Sequence, residues 1–214
     1  MEETKPLMIL SDVEQRIIGV LIEKSKTTPD YYPMTINSIT IACNQKTSRN
    51  PVVNYDEQTV TLTLNALKIK GLVGTVTGAG TRSMKYKHNL AIVYPLLPAE
   101  LTIICLLLLR GPLTPGEINT NSGRMYEFET IEAIQEILNK LAADQPPYVR
   151  QLSKKPGQKE ARYQQLFGGE KEHEEPELES LTIAYPSTEL EERVIKLEQE
   201  LEELKELVNL LMDK

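Results

Sequence analysis

Gly80, Arg82, Lys85 and Tyr86 recur as Gly157, Lys159, Arg162 and Tyr163, all at one offset of 77. The apolar elements before each copy recur in the same order. A chain with such an internal repeat folds as one small unit used twice, and this limits its architecture more than its composition does.

The apolar stretch 13–24 aligns at offset 86 with 99–110, setting Glu14 on Glu100, Ile17 and Ile18 on Ile103 and Ile104, and Leu21 on Leu107. Ser11 or Asp12 is the expected N-cap of the first copy, with Glu14 placing negative charge at the positive end of the helix. Pro98 suits the first turn of the second. The run 103–109 falls far short of the ~20 apolar residues a membrane span needs, and Glu100 and Arg110 bound it, so it reads as a buried core helix.

Stretch 33–39 aligns at offset 79 with 112–118, and in both a proline followed two residues later by Thr35 or Thr114 marks a turn and a helix N-cap. The third element is ambiguous in the first copy, where 59–64 alternates with period two as a strand does. The second copy resolves it: Ile131, Ile134, Leu138 and Leu141 follow helical spacing among strong helix formers. At offset 74, Val60, Leu64 and Leu67 fall on the last three, so both stretches read as helices, with Gly71 ending the first.

Two β-type runs, 72–76 and 148–152, then lead through glycine-containing turns to second runs ending at the repeated tyrosines, which makes hairpins with cationic tips. The expected fold class is mainly α with small β-hairpins: two tandem winged-helix (helix-turn-helix) domains over 1–92 and 93–169. An acidic linker is expected over 170–187 and a C-terminal heptad helix over 188–214.

In that tail Leu190, Val194, Leu197, Leu201, Leu204, Val208 and Leu211 alternate spacings of four and three. Branched residues at a with leucine at d favour a parallel two-stranded coiled coil, in which Arg193 faces Glu198 of a second copy and Glu200 faces Lys205. A homodimer is therefore expected, the alternative being that the helix folds back on its own domains.

The net charge of −7 is unevenly spread. Residues 1–90 carry 11 Lys/Arg against 8 Asp/Glu, residues 91–169 carry 8 against 8, and residues 170–214 carry 5 against 15. The excess acid sits in the tail, so the repeats permit nucleic-acid binding without demanding it. Cys43 and Cys105 read as small apolar residues in a reducing compartment. The N-terminus lacks a basic segment followed by an apolar core, so a cytoplasmic protein is expected.

One distinctive segment is not shared between the repeats. It runs from Glu23 and Lys24 through Thr28, Pro29, Tyr32 and Pro33, and then through Ala42, Cys43, Asn44, Gln45, Lys46, Ser48, Arg49, Asn50 and Pro51. With Gly123, Arg124 and Met125, and with Pro156 to Tyr163 in the second repeat, it resembles the YceH-like family of uncharacterised bacterial proteins. That resemblance implies tandem winged helices and a bacterial origin and supplies no function. Tyr31 and Tyr32 read as a packing plug for the loop after the first helix.

Catalytic constellations are missing. His88 and His173 are the only histidines, no metal-ligand spacing occurs, and no Gly-Lys-Ser/Thr follows the glycines at 74, 78 and 80. A non-enzymatic protein without metal or cofactor is expected. Its partner is expected to be double-stranded DNA, bound as a dimeric transcriptional regulator or chromosome-associated factor. The alternative is a protein-interaction scaffold that uses the winged helices and the acidic coil. Candidate phosphate contacts are Lys46, Ser48, Arg49, Arg82, Lys85 and Lys87 in the first repeat, and Arg124, Lys154, Lys155, Lys159 and Arg162 in the second. Thr59 and Thr63 are candidates for base edges. Glu129, Glu132 and Glu136 make the second repeat the weaker DNA candidate.

Overall fold

The computed structural model describes residues 6–77, 83–154 and 160–169, together with Lys196 and Lys205. The chain divides into two units, Met1–Glu170 and Lys171–Lys214. In the second unit the two described lysines are helical and exposed. The expected heptad residues Leu190, Val194, Leu197, Leu201, Leu204, Val208 and Leu211, the expected linker, and the candidate phosphate contacts Arg82, Lys155 and Lys159 lie outside the described residues.

The first unit is mainly helical, with seven helices and two antiparallel two-stranded hairpins among the described residues. The first repeat runs α1 (Asp12–Thr27), α2 (Ile36–Cys43), α3 (Glu57–Ile69), β1 (Val73–Val76) and β2 (Lys85–His88). A short helix, α4 (Leu90–Val93), leads to the second: α5 (Pro98–Arg110), α6 (Pro115–Ser122), α7 (Ile131–Ala143), β3 (Val149–Gln151) and β4 (Tyr163–Gln165).

Residues at matching positions cap the second and third helices of the two repeats. Ser11 caps α1 in a capping box with Glu14, and Thr114 caps α6 in one with Glu117. Thr35 caps α2, Asp56 caps α3 and Thr130 caps α7. In each repeat the first helix is also tied by charge to the end of the third. Glu14 pairs with Lys70 at 2.7 Å, and Glu100 pairs with Lys140. Both acids reach back to the backbone N–H at their own N-cap, Glu14 to Ser11 and Glu100 to Leu97.

The alternating stretch 59–64 is helical in α3. Val60, Leu64 and Leu67 face the core. The threonines that suggested a strand satisfy their hydroxyls inside the helix: Thr61 donates to the Glu57 carbonyl at 2.7 Å and Thr63 to the Thr59 carbonyl at 2.8 Å. Gly71, at φ +75°, then ends the helix in the left-handed conformation.

The repeated tyrosines close the hairpins onto the helices. Tyr86 bridges Met34 and Tyr163 bridges Leu113, each just before the second helix of its repeat. Both tyrosines are buried.

The two repeats share one core. α5 is apolar on every side because it packs on its own repeat and also against α1, as a helix with no polar face must. Gly19 permits the close approach: a Cβ there would sit 2.8 Å from Leu109 side-chain atoms. Cys105 donates its thiol to the Gly19 carbonyl at 3.3 Å. Tyr94, Tyr148 and Phe167 stack edge-on or tilted beside this junction. Gln165 donates to the Gln15 side chain at 2.7 Å, joining β4 to α1. Both cysteines are free and buried, and burial pushes the Cys43 thiol up to about 12.

Candidate nucleic-acid interface

The loop 44–50 is built around arginines that point inward. Arg16, buried on α1, donates to the carbonyls of Cys43 and Pro51. Asn44 clamps the loop ends, donating to the Tyr55 carbonyl and accepting from the Tyr55 N–H, both at 2.8 Å. Arg49 has a fully buried side chain. It grips Glu23 through two bonds, Nη2 to Oε2 at 2.6 Å and Nη1 to Oε1 at 3.1 Å. It also donates to the Ala42 carbonyl, the Ser48 carbonyl and the Gln45 side chain.

Arg49 is therefore turned away from solvent, which corrects its assignment as a phosphate contact. Burial pushes the Glu23 carboxyl up, but the hydrogen bond and charge of Arg49, with Lys24 behind them, leave it below the ordinary carboxylate value. The grip holds Ser48 at φ +61°, a left-handed conformation unusual for a residue with a Cβ. Lys46, Thr47 and Ser48 are left exposed at the tip.

The other candidates divide. On β2, Lys85 is half-buried and Lys87 exposed, the stem of Lys87 lying over Gly74. Arg124, just past the end of α6, is exposed, and so is Lys154. Arg162 grips Glu117 at 2.8 and 2.9 Å and donates to the Pro112 carbonyl at 2.8 Å. That makes it a brace between β4 and the start of α6. Ser48 and Arg124, distant in sequence, line one cleft of about 310 Å³ between the repeats.

α3 presents a different outer face from the one expected. Thr59 and Thr63 are half-buried, whereas Gln58, Leu62, Asn65 and Ile69 are exposed at helical spacing. On α7 the outer face carries Glu132 and Glu136, both exposed, and the exposed Glu129 lies just before the N-cap Thr130. Tyr32 is a packing residue whose hydroxyl accepts from the His88 N–H at 2.8 Å, but its neighbour Tyr31 is 80% exposed.

A family model described as protein of unknown function, DUF480, matches residues 10–158, which take in nearly all of both repeats. The chain belongs to the DUF480 family. This agrees with the resemblance carried by the loop 42–51 and the segment 156–163. A UPF0502 protein of Shewanella piezotolerans is 47% identical over 97% of this chain and 99% of its own length. One of Shewanella halifaxensis is 43% identical over 97% of this chain and its full length. A third, of Opitutus terrae, is 46% identical over 77% of this chain and 72% of its own length.

Glu23 and Arg16 were not legible as site-building residues. Twenty-six residues separate Glu23 from Arg49, and no local pattern says which of the nearby cations a given acid will meet. Arg110, which the sequence presents only as the boundary of an apolar run, also reaches the cleft.

Proposed function

We propose that this member of the DUF480 family is a non-enzymatic, tandem winged-helix protein that binds double-stranded DNA through its first repeat, as a dimer held by the heptad tail and acting in transcription or chromosome organisation. One observation carries the reading: the outer faces of the two third helices differ in charge, α7 carrying more exposed acid than α3, whose one exposed acid is Glu57 in its first turn. α3 presents Gln58 and Asn65, side chains able to pair with base edges, and the first repeat adds exposed Lys46 and Lys87. α7 presents Glu132 and Glu136, with Glu129 just before its N-cap, and these repel phosphate. Lys46, Ser48, Lys85 and Lys87 are the phosphate contacts in this reading, with Arg82 alongside them by sequence. Arg49 and Arg162 serve the fold instead.

Binding to random duplex DNA as salt is raised tests it. Each neutralised phosphate contributes about −0.9 to the log–log slope, so Lys46→Ala with Lys87→Ala should flatten the slope by roughly 2. A slope unchanged by the pair, or no binding at low salt, rules out this interface. The dimer is tested separately: light scattering on the chain truncated after Pro186 should report half the mass of the full chain.

The scaffold reading has its own support. Leu62 and Ile69 are 64% and 89% exposed on the outer face of α3, an apolar pair more useful to a protein partner than to a phosphate backbone. Leu62→Ser would separate the two, sparing DNA affinity and abolishing capture of a protein partner if the scaffold reading holds.

A further inference from the structure

The cleft between the repeats has the chemistry of an anion site. The end of α1 brings Lys24 and Thr27 to it, the loop after α2 brings Thr47 and Ser48, and the second repeat brings Arg110 and Arg124. Glu23 is the one carboxylate on its wall among the described residues, and Arg49 already holds both its oxygens. Lys24 leans on the same acid at 3.3 Å. Arg110 and Arg124 are then left with no hydrogen-bond or ion-pair partner among the described residues.

Helix ends offer a competing reason for cations here, since Lys24 and Arg110 lie in the last turns of α1 and α5 and the macrodipole favours positive charge there. The carbonyls at those ends, however, already have donors. Lys24 O accepts the N–H and the hydroxyl of Thr28, Leu107 O accepts Gly111 N–H, and Leu109 O accepts Asn50 N–H. Past α6, Ser122 O accepts the N–H groups of both Met125 and Tyr126. Capping therefore does not occupy the two guanidinium heads. Burial pushes the Arg110 guanidinium below its ordinary range, with Glu23 opposing and Arg49 adding to the effect. An anion would relieve that.

We propose that this cleft binds a small phosphorylated molecule, with Arg110 and Arg124 clamping the phosphate and the Thr47 and Ser48 hydroxyls donating to its oxygens. Arginine suits this task because its planar fork meets two phosphate oxygens at once. Leu106 and Met125 add a small apolar part to a mostly polar wall. A volume of about 310 Å³ lies at the small end of ligand sites, the size of a sugar phosphate or nucleoside monophosphate. The site draws on both repeats, so its occupancy would report on how they are joined. It stands whether or not the first repeat binds DNA.

Calorimetric titration of the full chain tests it, with AMP, ribose 5-phosphate and inorganic phosphate as probes, adenosine as the uncharged control, and a short DNA duplex as a separate arm. At least one phosphate ester should bind saturably, tighter than about 1 mM, while adenosine does not. The Arg110→Gln, Arg124→Gln double variant should weaken that binding by about tenfold or more. Arg124→Gln alone, at an exposed position, gives the same direction if the double variant unfolds. No saturable binding of any phosphate probe overturns the proposal, as does equal binding by the variant. Loss of duplex binding in the variant, with no phosphate ester bound by the parent chain, also overturns it and assigns the cleft to a DNA surface.

Discussion

Arg49 is the clearest case of a residue whose sequence context and structural role diverge. In the string it is one of two cations in a polar loop, and the same polar side chains suit a backbone contact or a self-bonded turn. What decides between them is Glu23, a turn of α1 away from the loop and invisible to any local pattern. Removing Arg49 leaves that half-buried carboxylate paired only with Lys24 among the described residues, at 3.3 Å, so Arg49→Ala should cost up to about 3 kcal/mol. Lys46→Ala, three residues away and exposed, should stay within about 0.5 kcal/mol. Urea denaturation of the two variants checks the contrast, and equal losses would return Arg49 to the surface. His88 gives a second residue-scale prediction. Burial, and then the charge of Lys26, lowers its pKa from 6.5 to about 4. Its Nδ1 is buried without a partner among the described residues, and its Nε2 lies 3.5 Å from the Ser25 hydroxyl. The unfolded chain therefore binds a proton that the folded chain refuses between those two values. Stability is intact above about pH 6.5 and falls as pH drops toward 4, with a slope of up to about 1.4 kcal/mol per pH unit. Glu23, whose carboxyl is held below 4.5, adds its own loss at lower pH still. His88→Phe should flatten the curve between pH 6.5 and 4.5, and an unchanged curve would mean that the imidazole is solvated in the fold.

At the scale of elements, the repeat carried most of what could be read. α3 alternates like a strand in its own letters, and only the alignment with α7 recovers its helical period. The threonines mislead because a hydroxyl bonded to the carbonyl four residues back lets a poor helix former sit on a helix flank. The same alignment locates the hairpins, whose closing tyrosines are buried in both copies. The outer face of α3 was less legible. Choosing among Gln58, Thr59, Leu62, Thr63 and Asn65 depends on the rotation of the helix against α1 and α2, which the buried set Val60, Leu64 and Leu67 fixes only to within one position on either side. Gly19 belongs at this scale too. In sequence it is a poor helix former in mid-helix, worth about 1 kcal/mol less than alanine. In the fold it is where α1 and α5 touch. Gly19→Val should lose about 1–3 kcal/mol through overpacking against Leu109, despite the better helix propensity. A stabilised variant in chemical denaturation would mean the two helices can separate without cost.

At the scale of the molecule, two similar repeats invite a reading as two domains joined near residue 92. The packing describes something tighter. The all-round apolar run of α5 has no polar face to give to solvent, and α1 supplies the surface that covers its second side. Gln15 and Gln165 join the start of one repeat to the end of the other, and the backbone adds Leu10 N–H to the Phe167 carbonyl at 2.6 Å. A chain ending at residue 92 would leave the α1 face around Gly19 bare, and one beginning at 93 would leave α5 half covered. Neither core would then offset the conformational entropy of ordering so short a chain. Residues 1–169 should accordingly unfold in urea as one cooperative transition, with circular dichroism and tyrosine fluorescence tracking together. Each half expressed alone should lack dispersed amide resonances. Mixing the two halves should restore them, because the α1–α5 surface is the larger part of what either half is missing. Two separate transitions, or a folded 1–92 fragment, would show that the repeats are independent domains that merely touch.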